Sequence, residues 1–193
     1  MKKILSIILG AFLCAQAFAQ VDVNAGYVNS AYRYGEKNYS YKVAGNGFYV
    51  GASTEFQVGS SIHGLSFEPG LNFNLIDYNF EKGIDTFEYS LSAPLRLKYS
   101  QPVNNAVDAF ISAGPTLLCT LGSSAKVTYG GTTYTEKGEG GDFDVALGFE
   151  AGVKLTNNFK VVCGYDFGLV NQSGDGDYRL TRNFFHVGIG YSF

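Results

Sequence analysis

Phe143-Asp144-Val145-Ala146-Leu147-Gly148-Phe149-Glu150-Ala151-Gly152-Val153-Lys154-Leu155 alternates without a break. Its odd positions are all apolar, and its even positions hold Asp144, Glu150 and Lys154 among Ala and Gly. A period of two places these sets on opposite faces of a β-strand, whereas a helix would mix them. The same alternation runs through Leu65, Phe67, Pro69, Leu71, Phe73 and Leu75, and through Phe87, Tyr89, Leu91, Ala93, Leu95, Leu97 and Tyr99.

Working outward, eight strands are predicted: about 21–33, 47–58, 64–76, 86–99, 106–121, 142–155, 160–170 and 183–193. In strands two to eight the apolar face carries no charge, and Thr54 is its one clearly polar member. The opposite face carries Glu55, Glu68, Glu88, Arg96, Lys98, Asp108, Asp142, Asp144, Glu150, Lys154, Lys160 and Asp166. A soluble sandwich or barrel would turn the apolar face inward; a membrane barrel would turn it toward lipid.

Three features favour lipid. The strands are longer than the roughly 9–11 residues that a tilted crossing needs. The apolar face is bulky, while its opposite is rich in Gly, Ser and Asn, which suits a narrow lumen. Connections alternate between tight ones near 59–63, 100–105 and 156–159 and longer ones near 34–46, 77–85, 122–141 and 171–182, which is the asymmetry of outer-membrane barrels. The expected fold is therefore all-β: an eight-stranded antiparallel up-and-down transmembrane β-barrel. Tyr49, Tyr78, Tyr89, Tyr99, Phe143, Phe159 and Tyr191 are expected at its interfacial girdles in a chain without Trp.

Composition supports this and excludes other classes. The 193 residues include 14 Tyr, 16 Phe and 25 Gly, with 16% charged residues and a net charge of −3. Such a chain is too apolar for a disordered polymer and lacks the basic footprint of a nucleic-acid binder. Met1-Lys2-Lys3, the apolar run Ile4–Leu13 and Ala17-Phe18-Ala19 follow the order of a cleavable signal peptide over residues 1–19. Leu13 before Cys14 argues against lipidation. Residues 20–193 then form the barrel domain; losing two lysines and no acid takes the net charge from −3 to −5.

The last strand, Phe185-His186-Val187-Gly188-Ile189-Gly190-Tyr191-Ser192-Phe193, ends on an aromatic with apolar residues at every second place before it. Together with Pro69-Gly70, Ala93-Pro94-Leu95 and Ala113-Gly114-Pro115, the chain resembles the small outer membrane protein β-barrel domain, or porin-family, proteins, akin to OmpA- and OmpX-like barrels. The resemblance covers essentially residues 20–193. It implies residence in the outer membrane of a Gram-negative cell envelope, lipid as the surroundings, and delivery to the barrel assembly machinery through the strand ending at Phe193. A monomer without cofactor is expected. Pro69, Pro94 and Pro115 lie inside strands of a sheet without edges, so bulges are expected there.

The candidate site is a lumen charge cluster of Glu55, Glu68, Arg96, Lys98, Glu150 and Asp166. Folding strands two and three about the turn near 60 places Glu55 beside Ser66 and Glu68; folding strands three and four places Glu68 beside Arg96. Glu150 and Asp166 are expected at similar heights across the lumen, within reach of Arg96, because an unpaired buried guanidinium would cost several kcal/mol. A static plug is the plain reading of this set. The resemblance to OmpA-like barrels implies a gated ion path as the alternative.

Other groups offer less. His63 lies near a turn and His186 faces inward, neither with a triad-like neighbour, so no catalytic or metal-binding residue is expected. Cys119 and Cys163 fall on the lipid face with a strand between them, beyond disulfide reach. Asp175-Gly176-Asp177 reads as a solvated turn rather than a calcium loop. Thr128-Tyr129-Gly130-Gly131-Thr132-Thr133-Tyr134 reads as a hairpin rising above the membrane, with Tyr129 and Tyr134 as a recognition surface. The expected role is structural or surface-interacting, without catalysis; the alternative is a narrow pore or small-solute conduit.

Overall fold

A computed structural model describes residues 20–36, 39–58, 63–81, 84–129, 132–155, 158–173 and 178–193. The signal segment 1–19 and Asp175-Gly176-Asp177 lie outside these. The described strands are β1 (Gln20–Glu36), β2 (Tyr39–Gln57), β3 (Leu65–Glu81), β4 (Ile84–Asn104), β5 (Val107–Tyr129), β6 (Thr132–Glu139), β7 (Phe143–Leu155), β8 (Phe159–Gly168) and β9 (Arg179–Ser192). All pairings are antiparallel, and β1 pairs with both β2 and β9, so the sheet closes on itself.

The nine segments make eight staves. β6 pairs with the upper part of β5 and β7 with its lower part. Between them residues 140–142 stay fastened to Thr120, whose N–H donates to the Asp142 carbonyl and whose carbonyl accepts from the Gly141 N–H. Gly141 sits at φ 133, a conformation that glycine alone adopts freely.

Burial follows the alternation with the membrane sense. Phe48, Ile111, Phe149 and Ile189 are exposed on the outer wall. Asp22, Glu68, Glu88, Arg96, Lys98, Lys160, Asp166 and Arg182 are buried in the lumen. Closure matters because hydrocarbon offers backbone groups no partner, and a sheet without edges pairs them internally.

The structure differs from the sequence reading in three ways. First, the expected long connections at 34–46, 77–85 and 122–141 are mostly strand, so β1 with β2, β3 with β4 and β5 with β6 form three tall hairpins. Tyr, Thr and Lys hold extended backbone there without a run of alternating apolar residues to announce it. Second, Tyr49 and Tyr78 point into the lumen, not to a girdle, because they share parity with Gly51 and Ile76; Tyr99, Phe143, Phe159 and Tyr191 are exposed on the outer wall.

Third, no bulge occurs at the prolines. Pairing resumes in the same register beyond each of them, and the register shifts lie elsewhere, at Asn79/Glu81, Tyr89/Ser90 and Pro102/Asn104. The ladder instead skips rungs. Pairing is absent where Thr54 would meet Pro69, where Gly70 would meet Pro94, and where Leu95 would meet Pro115. Each gap falls on the seam toward the preceding strand, where proline has no N–H to give.

Candidate functional site

Inward side chains stack in layers from the short-turn end upward. Lowest is a lysine-centred layer. Lys98 Nζ contacts Glu55 Oε2 at 2.6 Å and Glu68 Oε2 at 3.0 Å; Lys160 Nζ contacts Asp22 Oδ2 at 2.9 Å and Glu68 Oε1 at 2.8 Å. Ser53 Oγ donates to Glu68 Oε1 at 2.7 Å. Phe110 lies beneath both ammonium groups, with Lys98 Nζ 4.9 Å from its ring centre, a cation–π arrangement that fills the remaining space.

Above it sits the arginine layer. Arg96 Nη2 donates to Asp166 Oδ1 at 2.6 Å and its Nε to Glu150 Oε1 at 3.3 Å. Nη1 donates to the carbonyls of Gly114 at 2.7 Å and Pro115 at 3.2 Å. Thr116 and Ser112 donate to Asp166 and Glu150. His186 lies between the carboxylates, with Nε2 3.3 Å from Glu150 Oε1 and Nδ1 3.4 Å from Asp166 Oδ2. A desolvated guanidinium with all three of its nitrogens hydrogen-bonded and two carboxylates beside it is the arrangement that a low-dielectric interior tolerates.

An apolar layer of Val28, Ile76, Leu118, Ala146 and Phe184 follows. The top layer is built on Arg182, whose Nη2 donates to Glu88 Oε1 at 2.5 Å and to Tyr78 Oη at 2.8 Å, while its Nε donates to Ser30 Oγ at 2.9 Å. Phe184 and Tyr32 lie 4.6 and 4.9 Å from its guanidinium carbon. Among these layers lies a cavity of about 70 Å³ of mixed lining, polar at residues such as Asn24, Ser53 and Asn74 and apolar at Val28, Leu118 and Phe184.

The six charges singled out from sequence all face the lumen, in two groups. Glu55, Glu68 and Lys98 join the lysine layer; Arg96, Glu150 and Asp166 form the arginine layer. Glu68 is the backbone neighbour of Arg96, yet its carboxylate goes to the two lysines. Gln57, not Glu55, stands opposite Ser66. Asp22, Lys160 and the whole Arg182 layer were missed as site members. Arg182 lies just before the expected start of the last strand, although its even parity with Phe184 and His186 marks it as inward.

His63 is exposed at a turn. Cys119 and Cys163 are free, with β7 between their strands. Tyr134 is exposed on β6; the side chain of Tyr129 lies outside the described residues.

Comparison with known proteins agrees with this architecture. The family model "Outer membrane protein beta-barrel domain" matches residues 5–193. No curated protein matches the sequence. Among solved structures, the outer membrane enzyme PagL has a TM-score of 0.53 at 13% identity, with 90% of this chain and 99% of that chain covered. Neisserial surface protein A has 0.48 at 18%, covering 90% and 97%. The attachment invasion locus protein Ail of Yersinia pestis has 0.43 at 19%, covering 91% and 99%. At these identities the likeness concerns the fold alone. The chain belongs to the outer membrane protein β-barrel domain family.

Proposed function

We propose that this outer-membrane barrel acts as a structural or surface-interacting element without catalysis, and that its lumen is a plug. The observation that carries this reading is the stack of three sealing layers: Lys98 and Lys160 over Phe110, the apolar layer around Phe184, and the Arg182 layer. An axial path would have to break several desolvated ion pairs at once, each costly to open. The 70 Å³ cavity between the lower and upper layers suits a few waters.

The absence of catalysis is supported by where the histidines lie. His63 is exposed at a turn, and His186 is fixed between two carboxylates inside the lumen. In this reading residues 1–19 are removed on export, the last strand with Phe193 addresses the assembly machinery, and the mature barrel is monomeric within its own membrane. The three tall hairpins then stand on the cell exterior, since outer-membrane barrels keep their short turns in the periplasm.

The test is electrical. Refolded protein in a planar bilayer is expected to give no discrete conductance steps. Reproducible unitary steps, altered by Arg96→Ala, would instead establish the narrow pore.

A further inference from the structure

On one side of the barrel the outer wall turns from apolar to cationic without any acid between. The apolar band of β1, β2 and β9 ends at Tyr27, Phe48 and Phe185, and the next outward positions are Asn29, Asn46 and Asn183. Asn29 Nδ2 donates to Asn46 Oδ1 and to the Gly45 carbonyl, both at 2.9 Å, and Tyr27 Oη donates to Asn46 Oδ1 at 2.5 Å. Such a belt of amides and a phenol suits the boundary between hydrocarbon and water. Small outward residues follow, Ala31, Ala44 and Thr181, and above them stand Arg33, Lys42 and Arg179, all exposed.

The pairing register gathers these cations. Arg33 lies directly opposite Lys42 across the β1–β2 seam, and Arg179 lies one outward step higher on β9, opposite Gly35. Like charges set opposite one another destabilise a sheet. Across the barrel the same zone is built the other way, with Asp85 opposite Lys126 on the outward face of β4 and β5. The described outward positions of β1, β2 and β9 above the band carry no carboxylate, so the charge that balances this cluster comes from outside the chain.

Height narrows the choice of anion. Lys42 stands four residues beyond Asn46, roughly 14 Å along the strand and roughly 10 Å along the membrane normal at a tilt of about 40°. The headgroup zone of a simple phospholipid leaflet is only about 5–8 Å deep. A taller headgroup, with phosphate carried on sugar, reaches the level of the cations. Guanidinium groups match phosphate oxygens with paired N–H donors, and the small residues below leave room for a sugar against the amide belt.

We propose that Arg33, Lys42 and Arg179 form a docking site for an outer-leaflet lipid whose headgroup is a phosphorylated sugar. This rests on the tall hairpins standing on the exterior, adds a lipid partner to the surface role, and holds whether or not the lumen conducts.

The test reads lipid retention. Protein refolded in phosphatidylcholine vesicles with a graded minor fraction of lipid A, a phosphorylated disaccharide lipid, is released and scored by native mass spectrometry for barrels that keep the lipid. Wild type is expected to saturate at low lipid A content. Arg33→Gln with Lys42→Gln is expected to raise the half-saturating content roughly thirtyfold, about fivefold for each cation lost. Lys126→Gln with Lys137→Gln, an equal loss of charge on the outward face of β5 and β6, is expected to leave it unchanged. Dephosphorylated lipid A and phosphatidylglycerol are expected to be kept no better by wild type than by the first pair. Heat-modifiable migration checks folding, and Lys42→Gln alone, expected to cost about fivefold, carries the comparison should the double variant not refold. Equal half-saturation for the two pairs, or retention of the dephosphorylated lipid at the same content, would overturn the proposal. So would phosphatidylglycerol held as tightly as lipid A, which would assign the patch to simple phospholipids. None of these outcomes touches the plug, which fails separately on conductance steps.

Discussion

Nη1 of Arg96 donates to the Gly114 carbonyl at 2.7 Å, so a lumen side chain completes the backbone hydrogen bonding of the wall beside Pro115. The seam between β4 and β5 skips two rungs there, Leu95 with Pro115 and Arg96 with Gly114. In a wall bathed by lipid those carbonyls have no solvent to turn to. The guanidinium thus serves two ends, holding Glu150 and Asp166 across the lumen and capping a gap in the sheet.

Arg96→Met is accordingly expected to destabilise the barrel by about 3–5 kcal/mol, since it takes the guanidinium away from two buried carboxylates and from the carbonyls of Gly114 and Pro115. Adding Glu150→Gln and Asp166→Asn to that variant is expected to recover part of the loss, because no uncompensated charge remains. Urea unfolding of the protein in lipid vesicles measures both. A single-variant cost below about 1 kcal/mol, the range of exposed pairs, would show that the layer contributes little to holding the barrel.

The arginine layer also dictates a glycine. A Cβ on Gly148 would collide with Asp166 Oδ1 and with the Arg96 guanidinium, so the bare backbone of β7 lets the pair pass close by. Gly148→Ala is expected to cost about 1–3 kcal/mol through overpacking. Ala151→Gly, on the opposite face of the same strand, is expected to cost less than Gly148→Ala. The comparison is made by the same unfolding measurement, and equal costs for the two would show that the lumen contact does not matter.

How much of this was legible from the sequence follows from range. Alternation is local, so Phe143–Leu155 declares its two faces, and the absence of charge on one of them declares lipid. Parity even marks Arg182 and Tyr78 as inward once the strands are allowed to run further than their apolar stretches. What alternation cannot convey is who meets whom across the lumen. Lys160 finds Asp22 and Glu68 from strands far apart in the chain, and only closure of β1 on β9 fixes those distances. The prolines misled for a related reason: with no partner visible for the broken rungs, a bulge was the local remedy, whereas for Pro115 the fold supplies one from Arg96.

The cysteines give a chemical check on strand order. Cys119 on β5 and Cys163 on β8 have β7 between them, so the two thiols cannot meet without unpairing a stave. Unfolding without reductant, followed by maleimide, is expected to label Cys119 and Cys163 alike in the protein after aerobic purification. Failure to label either one until reductant is added would mean that they had paired, and the stave order would be wrong.

The orientation of the wall is tested most directly by charging its outer face. Phe149 is 49% exposed at the middle of β7, between Leu147 and Ala151, while Glu150 beside it on the chain faces the lumen and is held by Arg96. Arginine near the bilayer midplane on the lipid face of a barrel costs about 2–4 kcal/mol. Phe149→Arg is therefore expected to lower stability by that amount in lipid vesicles, and by clearly less in short-chain detergent micelles, where water and headgroups reach the side chain more easily. Val103→Arg provides the control: Val103 is 65% exposed beside the short turn that follows β4, where interfacial water accepts the charge at a cost near 0–1 kcal/mol. Equal and small losses at both positions in vesicles would place residue 149 in water rather than hydrocarbon, and the apolar wall would then belong to an inside.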